Sequence, residues 1–259
     1  MRESDQSPAL LTNSVSKRFG GVQAVRSVDF VVPVGERRAL IGPNGAGKTT
    51  LFNLITGELD VDKGQILIYG EDVTNKSVQQ RARFGLGRTY QISQLLFDLS
   101  VEENLFLAGS ANRNITFGFF KPWKKYKEEI EWAHQVAEQV KLTDYLGSKV
   151  SDISHGLQRQ LEIGMAISMH PRLIMLDEPA AGLSPSERIV LIDLIKELTR
   201  EVTLILIEHD MDVVLDIADK ITVLHRGEII AEDTPSLIKQ NTEVQSVYLG
   251  SSYDRIKDH

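Results

Sequence analysis

Gly42-Pro43-Asn44-Gly45-Ala46-Gly47-Lys48-Thr49 decides how this chain reads. The stretch fits G-x-x-x-x-G-K-[ST], a loop whose glycines turn backbone N–H groups inward around phosphate oxygens. Its flanks agree. Arg38-Ala39-Leu40-Ile41 before it predicts a short buried strand, and Leu51, Leu54 and Ile55 after it repeat at helical spacing until Gly57 offers a C-cap. Strand, glycine loop and helix start together aim a positive dipole end at anionic oxygens. In such a loop Lys48 reaches the β- and γ-phosphates of a nucleotide, and the Thr49 hydroxyl ligates Mg²⁺. A glycine turn with a chance lysine is the competing reading, and the strand and helix on either side disfavour it.

The 259 residues suffice for one large domain, or for a domain with a subdomain. Hydrophobic residues make up 42% and charged residues 25%, which suits a soluble protein with a substantial core. A net charge of −7 disfavours nucleic acid as a partner, because sequence-independent binding runs on Lys and Arg. With no cysteine there are no disulfides, thiolate nucleophiles or zinc–cysteine sites, which suits the cytosol. The opening MRESDQSPAL lacks the apolar segment of a signal peptide, and no apolar run approaches the ~18 residues a membrane span needs. Any part in a membrane process is expected from the water side.

Strands are expected over 10–19 and 27–34, joined through Gly20-Gly21, then over 37–41 and 64–69. A short helix over 77–83 follows, and 85–91 brings the chain back toward the core. Ser100 and Glu103 form a capping-box pair that opens a helix over 101–108. Residues 109–123 read as an irregular insertion and 124–140 as a charged amphipathic helix. The block 95–170 is therefore expected as a helical subdomain, set into a core made of 9–94 and 171–250. From Arg172 the strand–helix alternation returns, and Leu173-Ile174-Met175-Leu176 is continuously apolar, as in a parallel sheet covered on both faces. Ser184 and Glu187 open a helix over 185–200. A strand over 202–207, a helix over 211–218, strands over 221–224 and 228–231, and two short helices over 235–249 complete the chain. No internal repeat is evident, so a single core is expected.

Candidate chemistry gathers at strand ends. Asp177-Glu178 closes the apolar strand, where ligands bind in parallel sheets. Asp177 would hold Mg²⁺, mostly through water, and Glu178 would act as general base on the attacking water. A surface turn with two carboxylates is the plainer alternative. Ile205-Leu206-Ile207-Glu208-His209 repeats the pattern, and the His209 ring would orient that water or serve only a local hydrogen bond. In Arg88-Thr89-Tyr90-Gln91, Gln91 offers an amide oxygen to Mg²⁺ or water, or simply caps. Ser154-His155-Gly156-Leu157-Gln158 opens a helix running to about Met169, so Ser154 is either an N-cap or part of a second anion site. One glycine loop needs no second phosphate site in its own pocket, whereas a symmetric partner would use it.

Together these residues resemble the ATP-binding-cassette ATPases of transporters, from Phe19 to about Gly250. The resemblance implies an α/β fold: a P-loop NTPase core with an antiparallel β subdomain and a helical subdomain. It makes Gly42–Thr49 the Walker A loop, Gln91 the Gln-loop, Ile153-Ser154-His155-Gly156-Leu157 the signature, Leu173–Asp177 with Glu178 the Walker B strand, Ala181-Gly182-Leu183-Ser184 the D-loop and His209 the switch. It implies catalytic roles for Lys48, Gln91, Glu178 and His209, and Mg²⁺ at Thr49, Gln91 and Asp177. ATP contacts are implied for Phe19, Gly42, Pro43, Asn44, Gly45, Ala46, Gly47, Lys48, Thr49, Thr50, Ser154 and Gly156. Phe19 matches the aromatic that stacks on adenine; read alone, it looks like core.

Finer features resemble the Liv-type ATPases of branched-chain amino acid importers and their relatives for urea and short amides. They are Arg88-Thr89-Tyr90-Gln91, the insertion at 109–123, Leu161-Glu162-Ile163-Gly164, Glu208-His209-Asp210 and the ending Val247-Tyr248-Leu249-Gly250. Lipopolysaccharide-export ATPases share that ending but usually lack the insertion. Two departures stand out. The usual Leu-Ser-Gly-Gly-Gln is Ile-Ser-His-Gly-Leu, which keeps Ser154 and Gly156, and Ser184 replaces a common Asp. The resemblance implies an ATP-hydrolysing subunit at the cytoplasmic face of the membrane. Its partners are transmembrane permease subunits docked near Gln91 to Leu107, a second identical or related ATPase subunit and, indirectly, a solute-binding protein. Leu95, Leu96, Phe97 and Leu105 are either an apolar docking patch or subdomain core. The alternative is a soluble cassette ATPase working mechanically in translation or DNA repair, and the single cassette, the absence of a long coiled coil and the acidic balance disfavour it. A scaffold that binds ATP without turnover conflicts with Glu178 and His209.

Overall fold

Two sheets form the frame of the computed structural model, which describes residues 7–89, 95–112 and 125–248. β1 (Leu10–Phe19), β2 (Val22–Val32), β4 (Lys63–Ile68) and β5 (Glu71–Asp72) make an antiparallel sheet in the order β2-β1-β4-β5. The second sheet holds β3 (Arg37–Ile41), β6 (Leu86–Arg88), β7 (Leu173–Asp177), β8 (Thr203–Ile207), β9 (Lys220–His225) and β10 (Glu228–Asp233), ordered β10-β9-β3-β8-β7-β6. It is parallel except at β10.

Every residue of β3, β7 and β8 is buried, so Leu173–Leu176 and Leu204–Ile207 read as apolar runs without alternation, and β3 does so only from Ala39 on, after the buried Arg37 and Arg38. Their side chains nevertheless alternate between two cores. Ile174, Leu176, Leu204 and Leu206 pack with α3 (Val101–Asn112), α4 (Lys127–Gln139), α5 (His155–Ser168) and α6 (Pro185–Glu197). Leu173, Met175, Ile205 and Ile207 face the other way, onto Leu51, Phe52 and Ile55 of α1 (Lys48–Thr56) and onto Phe30, Ile66 and Ile68 of the antiparallel sheet. α7 (Met211–Ile217), α8 (Pro235–Gln240) and the helical residues 242–248 cover β3 and β9 through a smaller cluster of Ile41, Val214, Ile221, Val223, Ile238 and Val244.

Two buried arginines tie these layers together. Arg38 donates to Val31 O of the antiparallel sheet at 3.0 Å and to Thr222 Oγ1 of β9 at 2.8 Å, and it pairs with Glu36 and Glu232. Arg81, in α2 (Val78–Arg83), donates to the carbonyls of Leu54 and Ile55 at 2.6 Å each, and to those of Thr74 and Lys76 at 2.9 Å. It thereby satisfies last-turn carbonyls of α1 that the helix itself leaves open. Burial pulls its pKa down to about 10. At the αL C-cap Gly57, a Cβ would lie 2.8 Å from Arg81 Nε, so only glycine fits that approach.

Several boundaries differ from the sequence expectation. β2 begins at Val22 rather than 27, because the Gly20-Gly21 turn lets Phe19 pair with Val22 directly. The alternation there was hidden by register shifts in β1 and by the left-handed Ser27 (φ 49°). α3 continues through Asn112, four residues into the expected insertion at 109–123. Residues 113–124, the rest of that insertion and the start of the helix expected from 124, lie outside the described residues. The Ser100 box is formed, with Ser100 N on Glu103 Oε2 at 2.8 Å and Glu103 N on Ser100 Oγ at 3.1 Å. The apolar quartet splits: Leu95 and Leu105 are core, whereas Leu96 and Phe97 are 46% and 45% exposed.

Candidate functional site

β6, β7, β8 and β3 lie side by side in the parallel sheet, and their C-terminal ends deliver Thr89, Asp177-Glu178, Glu208-His209 and Gly42 to one edge. Ligands bind at that edge in open parallel sheets. The glycine loop leaves β3 through positive φ at Gly42 (152°), Gly45 (78°) and Gly47 (104°). A Cβ would lie 2.1 Å from Leu224 O at Gly42 and 2.3 Å from Ala24 O at Gly47, so the backbone packs where no side chain fits. The turn between β9 and β10 clamps the loop from outside: Gly227 N donates to Ala46 O at 2.8 Å, and Arg26 N donates to Gly227 O at 2.8 Å. Lys48 opens α1 and bends back, its ammonium 2.7 Å from Gly42 O and 3.2 Å from Pro43 O. Burial lowers its pKa, and the charges of Glu178 and Asp177 oppose that shift.

The loop floors a cleft of about 600 Å³. Asn44, Gly45, Ala46, Gly47, Lys48, Thr49 and Thr50 line one side; Val22, Gln23, Ala24, Arg26, Glu178 and Arg226 complete it. Phe19, which alone read as core, is 47% exposed at the end of β1. This corrects that reading: the ring lies outside the core, with Lys17 Nζ 5.8 Å from its centroid, and it pairs across the hairpin with Val22 of the cleft wall.

Asp177 is 5% exposed, and its pKa is pushed up to about 6, first by burial and then by the neighbouring Glu178 charge. Glu178 is left-handed (φ 45°), a strained backbone for a residue with a side chain. It is held there from two directions. Its N–H donates to Ile207 O at 2.9 Å, and its carbonyl accepts from Arg159 Nη2 at 2.7 Å. Arg159 also donates to Asp177 O and Pro179 O, each at 2.9 Å. The Glu178 carboxylate lies 3.6 Å from His209 Nδ1, and both side chains are open to solvent. Glu208 behind them is buried, accepting from Ala180 N at 2.9 Å and His209 N at 3.2 Å, and burial raises its pKa. It bolts the loop after β7 to the loop after β8. Gln91 lies outside the described residues.

Ser154 and Gly156 stand apart from this cleft. Ser154 caps α5, its Oγ accepting from Leu157 N at 3.3 Å. Gly156 N donates to the Glu187 carboxylate of α6 at 3.2 Å. The structure thus gathers Lys48, Thr49, Thr50 and Glu178 around one cleft, with Asp177 beneath and His209 beside, and leaves the Ser154 set elsewhere. Sequence reasoning missed Arg26, Arg226 and Arg159. Only Arg159 carried a hint, an Arg one turn into the helix that Ser154 opens.

The ABC transporter family model matches residues 25–181. The chain is 39% identical over 252 residues to the high-affinity branched-chain amino acid transport ATP-binding protein BraF of Pseudomonas aeruginosa, covering 95% of this chain and 99% of that protein. It is 38% identical over 254 residues to LivG of Escherichia coli K12, described in the same words, with the same coverage. A solved ATP-binding cassette of an ABC transporter in its ADP conformation superposes with a TM-score of 0.84 at 32% identity, covering 94% of this chain and 99% of that one. The chain belongs to the ABC transporter family and is an ATPase of its cassette type.

Proposed function

We propose that this chain is the ATP-hydrolysing subunit of an importer for branched-chain amino acids, working at the cytoplasmic face of the membrane against transmembrane permease subunits. The observation that carries the reading is the cleft: a glycine loop with Lys48 and a carboxylate–imidazole pair, Glu178 and His209, converge at one sheet edge. The full-length likeness to BraF and LivG supports the choice of solute. Among the described residues no helix is long and apolar enough to cross a membrane; in this reading, translocation falls to the permease subunits.

In this reading the backbone N–H groups of Gly42–Thr49 with Thr50 hold the phosphates, Phe19 stacks on adenine, and Lys48 carries charge to the transferring group. Lys48 already binds carbonyls of its own loop, so its ammonium is aimed over the cradle. Glu178 takes a proton from the attacking water, and His209 orients it. Thr49, Asp177 and Gln91 are hard oxygen donors of the kind Mg²⁺ takes, and they would hold that ion, which when bound would supply positive charge against the phosphate oxygens. The core of 9–94 and 171–250 carries these groups, and the helical block 95–170 presents Ser154 and Gly156 to the nucleotide of a second ATPase subunit. ATP closes the two subunits; hydrolysis reopens them.

The test is purification of the tagged chain from native membranes, followed by reconstitution with whatever permease accompanies it. ATP hydrolysis stimulated by a leucine-loaded binding protein supports the reading. Stimulation by urea alone would replace the solute, and co-purification with ribosomes or DNA in place of a permease would overturn the reading.

A further inference from the structure

Glu187 does more than cap its own helix. As the third residue of α6 it completes a capping box, with Oε2 accepting from Ser184 N at 3.0 Å and from Ser184 Oγ at 2.7 Å. That duty needs one carboxylate oxygen. The other, Oε1, crosses to a different helix and accepts from Gly156 N at 3.2 Å and Ser154 Oγ at 3.5 Å. These are the two donors at the start of α5, a helix of 14 residues whose dipole favours an anion there. The approach is fitted: a Cβ on Gly156 would lie 2.4 Å from Oε1 and 2.6 Å from the carboxyl carbon, so only glycine admits the carboxylate this close. The hydrogen bonds from Ser184, with smaller contributions from Gly156 and Ser154, hold the Glu187 pKa below the usual carboxylate range, which keeps the group anionic.

From this geometry we infer that Glu187 is a gate: in the isolated chain its carboxylate occupies the anion position of Ser154 and Gly156, and it must swing off before the partner's nucleotide can be engaged. The inference rests on the paired-subunit reading above. An incoming phosphate needs the same two donors, and two anions cannot share them. The gate opens without melting α6, because Oε2 stays on Ser184 while Oε1 turns away. Closure is thereby set against an internal competitor, and the apparent affinity for closing is reduced by the fraction of chains whose Glu187 is still seated. Such a device keeps two subunits apart until the anion that displaces Glu187 arrives with the partner.

The experiment uses the full chain carrying Glu178→Gln to prevent turnover, with and without Glu187→Gln, and measures self-association by sedimentation in the presence of ATP. Gln still completes a capping box, so α6 keeps its start. It also removes the charge that competes at Gly156, and the double variant should dimerise about tenfold more tightly. The Gly156 amide resonance of the nucleotide-free chain should shift on the same substitution. A dimer constant unchanged or weakened by Glu187→Gln, or an unmoved Gly156 resonance, would overturn the gate and leave the paired-subunit reading intact. A Glu178→Gln chain that stays monomeric with ATP would remove both.

Discussion

Arg159 donates to the Glu178 carbonyl at 2.7 Å, so the helix that Ser154 opens also holds the proposed base in its left-handed backbone. The same guanidinium bonds Asp177 O and Pro179 O. Replacing it with Lys keeps the charge and loses the fork that serves three carbonyls. Arg159→Lys should therefore lower kcat for ATP hydrolysis about tenfold or more, with KM little changed, because a small misplacement of a reacting group is costly. Steady-state kinetics beside a thermal melt tests this; a normal kcat would show that Glu178 keeps its place without Arg159.

Asp177 makes the nucleotide-free protein sensitive to pH. Its folded pKa of about 6 lies above the ordinary 3.8, so the unfolded chain ionises first as pH rises. This group's contribution to stability then falls between about pH 4 and pH 6 and is level above that. Asp177→Asn removes the penalty, and should stabilise the nucleotide-free chain at pH 7.5 by up to about 3 kcal/mol while abolishing Mg²⁺-dependent turnover. Urea melts at pH 4.5 and 7.5 check the sign. An Asn variant less stable than the parent at pH 7.5 would contradict it.

Leu96 and Phe97 should behave differently from Leu105. The first two are half exposed on the helical side, and Leu105 is fully buried. Leu96→Asp and Phe97→Asp are expected to leave folding and basal hydrolysis unchanged and to uncouple hydrolysis from transport in the reconstituted importer. Leu105→Asp buries an unpaired charge and should cost several kcal/mol, enough to unfold the chain. Circular dichroism separates the two outcomes, and unfolding by the Phe97 variant would assign that side chain to the core.

Removing the buried Arg81 should be costly. It satisfies carbonyls at the end of α1, and Lys48 stands at that helix's other end. Arg81→Leu leaves several buried carbonyls unpaired and should destabilise by about 3 kcal/mol. KM for ATP should rise with it, since the helix that carries the phosphate loop loses its anchor. Denaturant melts and substrate titration report the two effects separately.

The parts of the site that could be read beforehand share one property: each ends an apolar run. Gly42 follows Ala39–Ile41, Asp177-Glu178 follows Leu173–Leu176, and Glu208-His209 follows Leu204–Ile207, each the apolar end of a buried parallel strand, and those ends had to meet at one edge. Arg26, Arg226 and Arg159 could not be read that way. A lone arginine on a strand, in a turn or on a helix looks like a solvated charge, and its partners are carbonyls and cleft walls brought in by tertiary packing. Phe19 was misjudged for a related reason: its type suits a core, and only the hairpin's position at the rim exposes it. The second duty of Glu187 was equally hidden, because a capping-box glutamate is complete with one oxygen.

The placement of β3 also bears on how the chain is made. Its neighbours are β8 and β9, with Arg37 opposite Leu204 and Arg38 opposite Lys220. During synthesis from the N-terminus, the strand that feeds the phosphate loop has no sheet partner until the chain has grown past Leu204. The antiparallel sheet, built wholly from residues before Glu71-Asp72 and that pair itself, is complete long before then. Leu40 packs on α1 and the antiparallel sheet, but Ala39 and Ile41 pack on Val214, Ile221 and Val223, so the nascent protein leaves that face of β3 without its cover for most of elongation, a slow non-local closure of the kind that exposes chains to aggregation. A ribosome stalled before β8 would carry an intact β subdomain and no phosphate site, and release from that state is set by translation rather than by any step of the ATP cycle.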